Sequence, residues 1–292
     1  MSKTRDYRLW SIAALVGFCV VVGLLLANLL VRHSPGAGWG DPHALATIEI
    51  EGPIFDSEET LEKLEELRKY KDVKGVILRI NSPGGGVGPT QEIYESIESY
   101  RKATGTPIYA SIGSMAASGG YWIALAADKI YASPGSVTGS IGVIMGLVNL
   151  EELYQVLRIR PLTLKAGKFK DMGSPQRPMT EEEEALFQNL LDELHQQFKE
   201  KVLERRKISE GTLNDLAQGQ VFTGQQALKM GLVDALGGVT QVVMDMKADL
   251  RLPEEIKPFT PQPKRSFRDW MEHWSRSMVL SVLERLIPAQ TF

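Results

Sequence analysis

Residues 106–126 read TPIYASIGSMAASGGYWIALA. A short β-type run, Pro107 to Ile112, is followed by a break at Gly113-Ser114-Met115. After Ser118-Gly119-Gly120 the apolar run YWIALAA has the character of a buried helix. The reading is strand, tight turn, helix, with a small hydroxyl residue at the mouth of the helix. Backbone N–H groups are unpaired at such a mouth and the helix dipole favours negative charge there. A serine so placed can attack a carbonyl, and the next N–H can hold the oxyanion that forms. The competing reading is that Ser118 simply caps the helix, since serine is a preferred cap.

Around this stretch the pattern alternates. ATIEI (46–50) reads as a strand, and 57–70 as a helix with Leu61, Leu64 and Leu67 at helical spacing. VKGVILRI (73–80) is apolar enough for a strand covered on both faces. NSPGGGVGP (81–89) is a glycine-rich turn into a helix from Thr90, and DKIYAS from Asp128 is a further strand. Alternation of this kind predicts an α/β fold with a mainly parallel sheet and right-handed crossovers. Further on, 151–157 reads as a short helix and 165–179 as a loop. Thr180 with Glu183 forms a capping box that opens a long helix toward Arg206. Shorter helices are expected from Ser209, Thr223 and Gly238.

The amino terminus carries a different signal. Residues 10–31, WSIAALVGFCVVVGLLLANLLV, contain no charge. Some 22 residues at about 1.5 Å rise span roughly 33 Å, enough to cross a hydrocarbon core. Lys3, Arg5 and Arg8 precede the run, whereas only Arg32 follows it before Lys63. That bias predicts a single-pass anchor in the cell membrane, with a cytoplasmic amino terminus and the folded domain outside. A removable signal peptide is the competing reading, but the run is long for one and lacks a clean small-residue cleavage site. The expected layout is a cytoplasmic segment (1–9), the anchor (10–31), a tether (32–45), one folded domain (46–250), then 251–292. The last part begins with the proline-rich PEEIKPFTPQP (253–263). It continues with Phe267, Trp270, Trp274, Met278, Val282 and Leu286, spaced as an amphipathic helix.

Composition narrows the chemistry. A net charge of -3 gives no basic face for nucleic acid. The single cysteine, Cys19, sits in the apolar run, so no intrachain disulfide forms. Of four histidines (His33, His43, His195, His273) none accompanies the focal turn, which leaves poor material for a Ser-His-Asp triad. No Cys/His cluster has zinc spacing. Lysine is the other base a serine can use. Its ordinary pKa of about 10.4 leaves little neutral amine at pH 7, and burial can lower that value by several units. Lys165, Lys168 and Lys170 share one loop, and spacing alone does not choose among them. Gly84-Gly85-Gly86 is either a flexible turn or a presenter of N–H groups to a carbonyl, and it lacks the nucleotide P-loop pattern.

Four stretches taken together, RINSPGGG (79–86), SMAASGGYWIALAADKIYA (114–132), TGSIGV (138–143) and KAGKFKDMGSP (165–175), resemble the signal peptide peptidase A family. These are serine-lysine peptidases with the Clp protease and crotonase fold, and the likeness covers about 46–250. The short, single-unit form of the family is similar in length and layout. The resemblance implies Ser118 of AASGG as nucleophile and Lys170 of GKFKD as general base. It also implies Ser140 of TGS as a hydrogen-bond partner of the lysine, and Gly85 and Gly119 as oxyanion donors through their backbone N–H groups. It implies no metal or organic cofactor, peptide substrates such as cleaved signal peptides, and a homo-oligomeric ring whose sites are shared between subunits. Lys168, two residues from Lys170, competes for the base assignment. A crotonase-type acyl-CoA enzyme and a non-catalytic membrane scaffold are the rival readings. The export-type anchor argues against the first, and retention of Ser118 and Lys170 argues against the second.

Overall fold

A computed structural model of the chain describes residues 44–262. The expected anchor at 10–31 and the amphipathic helix beyond 263 lie outside the described residues. Among those described, no helix is long and apolar enough to cross a membrane.

Among the described residues seven strands form one sheet. β1 (Leu45–Glu51), β2 (Gly75–Ser82), β3 (Ile108–Ala117), β4 (Lys129–Ala132) and β7 (Ala235–Leu236) lie side by side in that order, and all their pairings are parallel. α1 (Glu58–Leu67) links β1 to β2, and α2 (Val87–Thr104) links β2 to β3. This is the mainly parallel α/β sheet of a Clp protease-like fold. The strands are apolar on both faces because both are covered. Val76, Leu78, Ile80, Ala110 and Ile112 pack with the side chains of α1, α2 and the helix after β3. Ile77, Tyr109 and Tyr131 point the other way, onto Val242 and Met246 of α8 (Val239–Leu250).

The strand does not end at Gly113-Ser114-Met115, since β3 runs on to Ala117, but its register against β2 is irregular there: Ile80 pairs with Ile112 and Ser82 with Ala116. Instead the strand changes partner there. Tyr109–Ile112 pair with β4, whereas Met115–Ala117 pair with β5 (Val137–Gly139). Buried hydroxyls of the incoming segment secure the fork. Ser136 Oγ donates to the Gly113 carbonyl (2.6 Å) and Thr138 Oγ1 to the Ala116 carbonyl (2.7 Å). β6 (Val221–Thr223) then adds to β5 antiparallel.

α2 starts at Val87, three residues before the expected start, because Pro89 falls in the first helical turn, where its missing N–H costs nothing. The 25-residue helix α5 (Glu181–Arg205) opens with the expected Thr180/Glu183 capping box. Before it comes α4 (Glu151–Val156), and after it α6 (Glu210–Leu216) and α7 (Gly224–Lys229), the last two capped by the Ser209 and Thr223 side chains.

Candidate active site

β3 ends at Ala117 and α3 (Gly119–Ala124) begins at Gly119, so the chain reverses within one residue, Ser118. The Ser118 amide donates to the Gly139 carbonyl (2.9 Å), and its carbonyl accepts from the Trp122 amide (3.0 Å). Between these fixed ends the backbone takes φ 51 and ψ -121, a combination glycine reaches readily and serine does not. Ser118 occupies the cap position of α3, yet its side chain makes no capping hydrogen bond. The simple cap reading therefore fails, and the half-buried hydroxyl is left for something else.

That backbone geometry predicts a stability effect. Strain at such a residue is on the order of 1–3 kcal/mol, and the extra freedom of unfolded glycine offsets about 0.5–1 kcal/mol of it. Ser118→Gly should thus raise the melting temperature by about 2–4 °C, for a net gain near 1 kcal/mol. Ser118→Ala, which keeps the strain, should not. Calorimetry of both variants checks this, and a melting temperature for the glycine variant at or below that of wild type refutes it.

The glycine turn presses against this corner. An ideal Cβ on Gly84 (φ 96) would lie 2.7 Å from the Gly119 nitrogen and 2.9 Å from Ser118 Cβ. Ser82 Oγ accepts from the Gly84 amide (3.1 Å), and the Ile54 backbone brackets the turn from below, Ile54 N to Gly84 O (2.9 Å) and Gly86 N to Ile54 O (2.8 Å). The amides of exposed Gly85 and buried Gly119 have no backbone acceptor among the described residues. A hydroxyl beside two unengaged N–H groups is an arrangement suited to acyl transfer.

Ser140 is brought to the same end of the sheet. The pairing of Ala117 with Gly139 makes Ser118 and Ser140 neighbours across the two strand ends. Ser140 also has positive φ (52), and its amide donates to the Gln220 carbonyl (2.8 Å). Ser118, Ser140, Gly85 and Gly119 thus converge through adjacent strand and turn ends.

Among the described residues no hydrogen bond joins Lys170 to them. It sits exposed in a turn, its amide donating to the Gly167 carbonyl (3.3 Å). Its two lysine neighbours are engaged, Lys165 with Asp171 and Lys168 with Glu182. No carboxylate pairs with Lys170 among the described residues. Between Ser140 and Lys170 the chain forms an apolar projection. α4 buries no residue, and Ile144 is 94%, Leu162 84% and Leu164 89% exposed.

A feature the sequence reading missed is the fixing of the Lys170 turn. The Arg177 guanidinium binds Asp171 through Nε (3.1 Å) and Nη2 (3.0 Å), and Glu183 through Nη1 (2.8 Å) and Nη2 (2.6 Å). Arg177, and then Lys165, hold the Asp171 carboxyl well below the usual carboxylate range. Arg177, with the Thr180 amide, likewise lowers Glu183 to about 2. The fork between Asp171 and Glu183 connects residues that sequence patterns treat as separate. α5 then runs to Phe198, which stacks on Trp122 of α3 (4.6 Å between ring centroids). Arg205 Nε donates to the Leu125 carbonyl at the far end of α3 (2.7 Å).

The sequence model described as "Peptidase family S49" matches residues 100–252, and that described as "Clp protease" matches 46–138. A protein from Enterococcus faecium named for the signal peptide peptidase SppA is 35% identical over 200 residues, covering 68% of this chain and 58% of that protein. A protein from Methanocaldococcus jannaschii named as a protease is 38% identical over 196 residues, 66% of this chain and 62% of that one. The chloroplastic serine protease SPPA of Arabidopsis thaliana is 32% identical over 218 residues, 74% of this chain and 32% of that one. The matches with the first two therefore span about three fifths of those relatives' length. With a peptidase model matched over more than half the chain, on a sheet that turns at Ser118 into a free hydroxyl, the chain belongs to peptidase family S49, the signal peptide peptidase A family of serine-type peptidases.

Proposed function

We propose that the chain is a membrane-anchored serine endopeptidase that cleaves residual signal peptides or other short, extended, apolar peptides. Ser118 is the nucleophile and Lys170 the general base. The observation that carries this reading is the Ser118 turn, where a hydroxyl free of capping lies beside the glycine turn and the Gly119 amide. Lys170 is preferred to its neighbours because their ammonium groups are already engaged, Lys165 by Asp171 and Lys168 by Glu182.

In the reaction Lys170 Nζ takes the proton of Ser118 Oγ while the oxygen attacks the peptide carbonyl. The Gly85 and Gly119 amides bind the oxyanion, and the lysine passes its proton to the leaving amine. Water then attacks the acyl-enzyme, with the lysine again as base. Ser140 orients the lysine. No metal or organic cofactor takes part. The peptidase-family match favours peptide over acyl-CoA substrates. The test is a peptidase assay of the purified chain beside Ser118→Ala. A wild type that is no more active than that variant refutes the reading.

The exposed apolar projection between Ser140 and Lys170 supports assembly. Apolar patches of this kind on soluble domains mark protein contacts. In our reading it packs between identical subunits of a ring and carries Lys170 to the Ser118 of a neighbour.

Anchoring rests on the uncharged run at 10–31 and the cations before it. A reporter fused after Phe292 should lie outside the cytoplasm, and the mature chain should keep its amino terminus. Protease added to spheroplasts should reach the domain without lysis. Digestion only after lysis overturns the orientation.

A further inference from the structure

We propose that Arg177 is a positioning residue for the base: its guanidinium holds the Asp171 carboxylate turned away from Lys170. The inference rests on the assignment of Lys170 as base. Asp171 is the next residue in the same tight turn, whose amides bond back to Gly167 and Phe169 carbonyls. A carboxylate so close would pair with the Lys170 ammonium if it had no other partner, and would keep it charged. It has other partners. Both Asp171 oxygens are engaged by Arg177, and one also receives Lys165.

The clamp is itself fixed. Glu183, only 3% exposed, grips the same guanidinium and accepts from the Thr180 amide at the first turn of α5 (3.0 Å). Arg177 also donates to the Pro178 carbonyl (3.0 Å), which completes its planar fork. Such two-sided, bidentate binding sets orientation as well as charge. The charged groups facing the turn are Lys165, Lys168 and Arg177 with Asp171 from the loop, and Glu182 and Glu183 from α5. α4, whose preceding Leu150 amide bonds the Pro175 carbonyl, carries Glu151 and Glu152 in its own first turn. Among these carboxylates Asp171 is the one next to Lys170 in the chain. Removing Arg177 therefore releases the carboxylate best placed to trap the base.

The sign of the effect follows. A freed Asp171 favours the ammonium form, so a higher pH is needed before Lys170 accepts a proton. The acid limb of kcat/KM against pH reports the base in the free enzyme. For the intact chain, Arg177→Gln should move the midpoint of that limb upward by about one pH unit. Lys165→Gln, which removes the second cation, should move it the same way by less. Asp171→Asn combined with Arg177→Gln should bring it back to the wild-type value, and Arg177→Lys should fall between. A purely structural role would lower activity at every pH and leave the midpoint in place, and that result overturns the proposal. If Arg177→Gln does not fold, Arg177→Lys, which keeps a cation but loses the two-point grip on Asp171, decides by the same shift, and an unmoved midpoint sinks the idea. Lys170→Ala is run alongside. Retained turnover there would refute the base assignment itself. An inactive Lys170→Ala with unmoved midpoints in the other variants would refute only the role of Arg177.

Discussion

Alanine at Ser118 should lower peptide cleavage by roughly 10⁴- to 10⁶-fold, the scale seen when a nucleophile or its base is removed from a serine peptidase. The fold should survive, because the side chain is half-buried and caps nothing. Lys170→Ala should cost about as much, since nucleophile and base act as one unit and either loss removes the whole of it. Lys168→Ala serves as the discriminating control. Its ammonium is occupied by Glu182 on α5, so its loss should cost less than about tenfold, the scale of an exposed ion pair. Initial rates on an extended apolar peptide, with circular dichroism of each variant, decide the matter. Near wild-type turnover in Lys170→Ala, together with an inactive Lys168→Ala, would move the base to Lys168.

The second large effect concerns assembly. Ser118 lies at the end of β3, whereas Lys170 lies beyond an apolar projection that buries nothing of α4. If the site is completed by a neighbour, Ser118→Ala and Lys170→Ala chains are each inactive alone and active together. A head-to-tail ring assembled at random from equal amounts of both would place an intact serine against an intact lysine at about a quarter of its boundaries. Activity should recover to about that fraction of wild type. A site built within one chain gives no recovery in any mixture. Co-expression with two different affinity tags, sequential purification and a peptidase assay make the comparison. Particles that contain both chains and remain inactive would refute the shared site.

Local chemistry makes much of this architecture legible in the sequence. The Thr180/Glu183 box, the serine and threonine caps of α6 and α7, and the apolar strands β1 to β4 follow from side chains that act on their own neighbours. What was not legible depends on distant pairing. β5, β6 and β7 are two or three residues long, too short for a period to show. Gly113 reads as a break, but it is the point at which β3 exchanges one partner for another. That exchange depends on where Ser136 and Thr138 arrive from elsewhere in the chain. At the site, the motifs marked Ser118 and the glycine turn. The positive φ of Ser118 and Ser140 appears only once Gly139 pairs with Ala117. Arg177 shows no pattern at all, since an arginine between two acidic residues six positions to either side is ordinary in composition. Its significance is geometric.

The strain at Ser118 also bears on how such a fold evolves. A backbone held at φ 51 and ψ -121 is one that glycine would occupy more comfortably. If Ser118 is the nucleophile, a lineage that exchanges it for glycine loses catalysis and gains a sturdier protein in one step. Drift and selection for stability thus point the same way, toward an inert scaffold. Only selection for turnover opposes them. The serine thus stands against the backbone preference of its own fold.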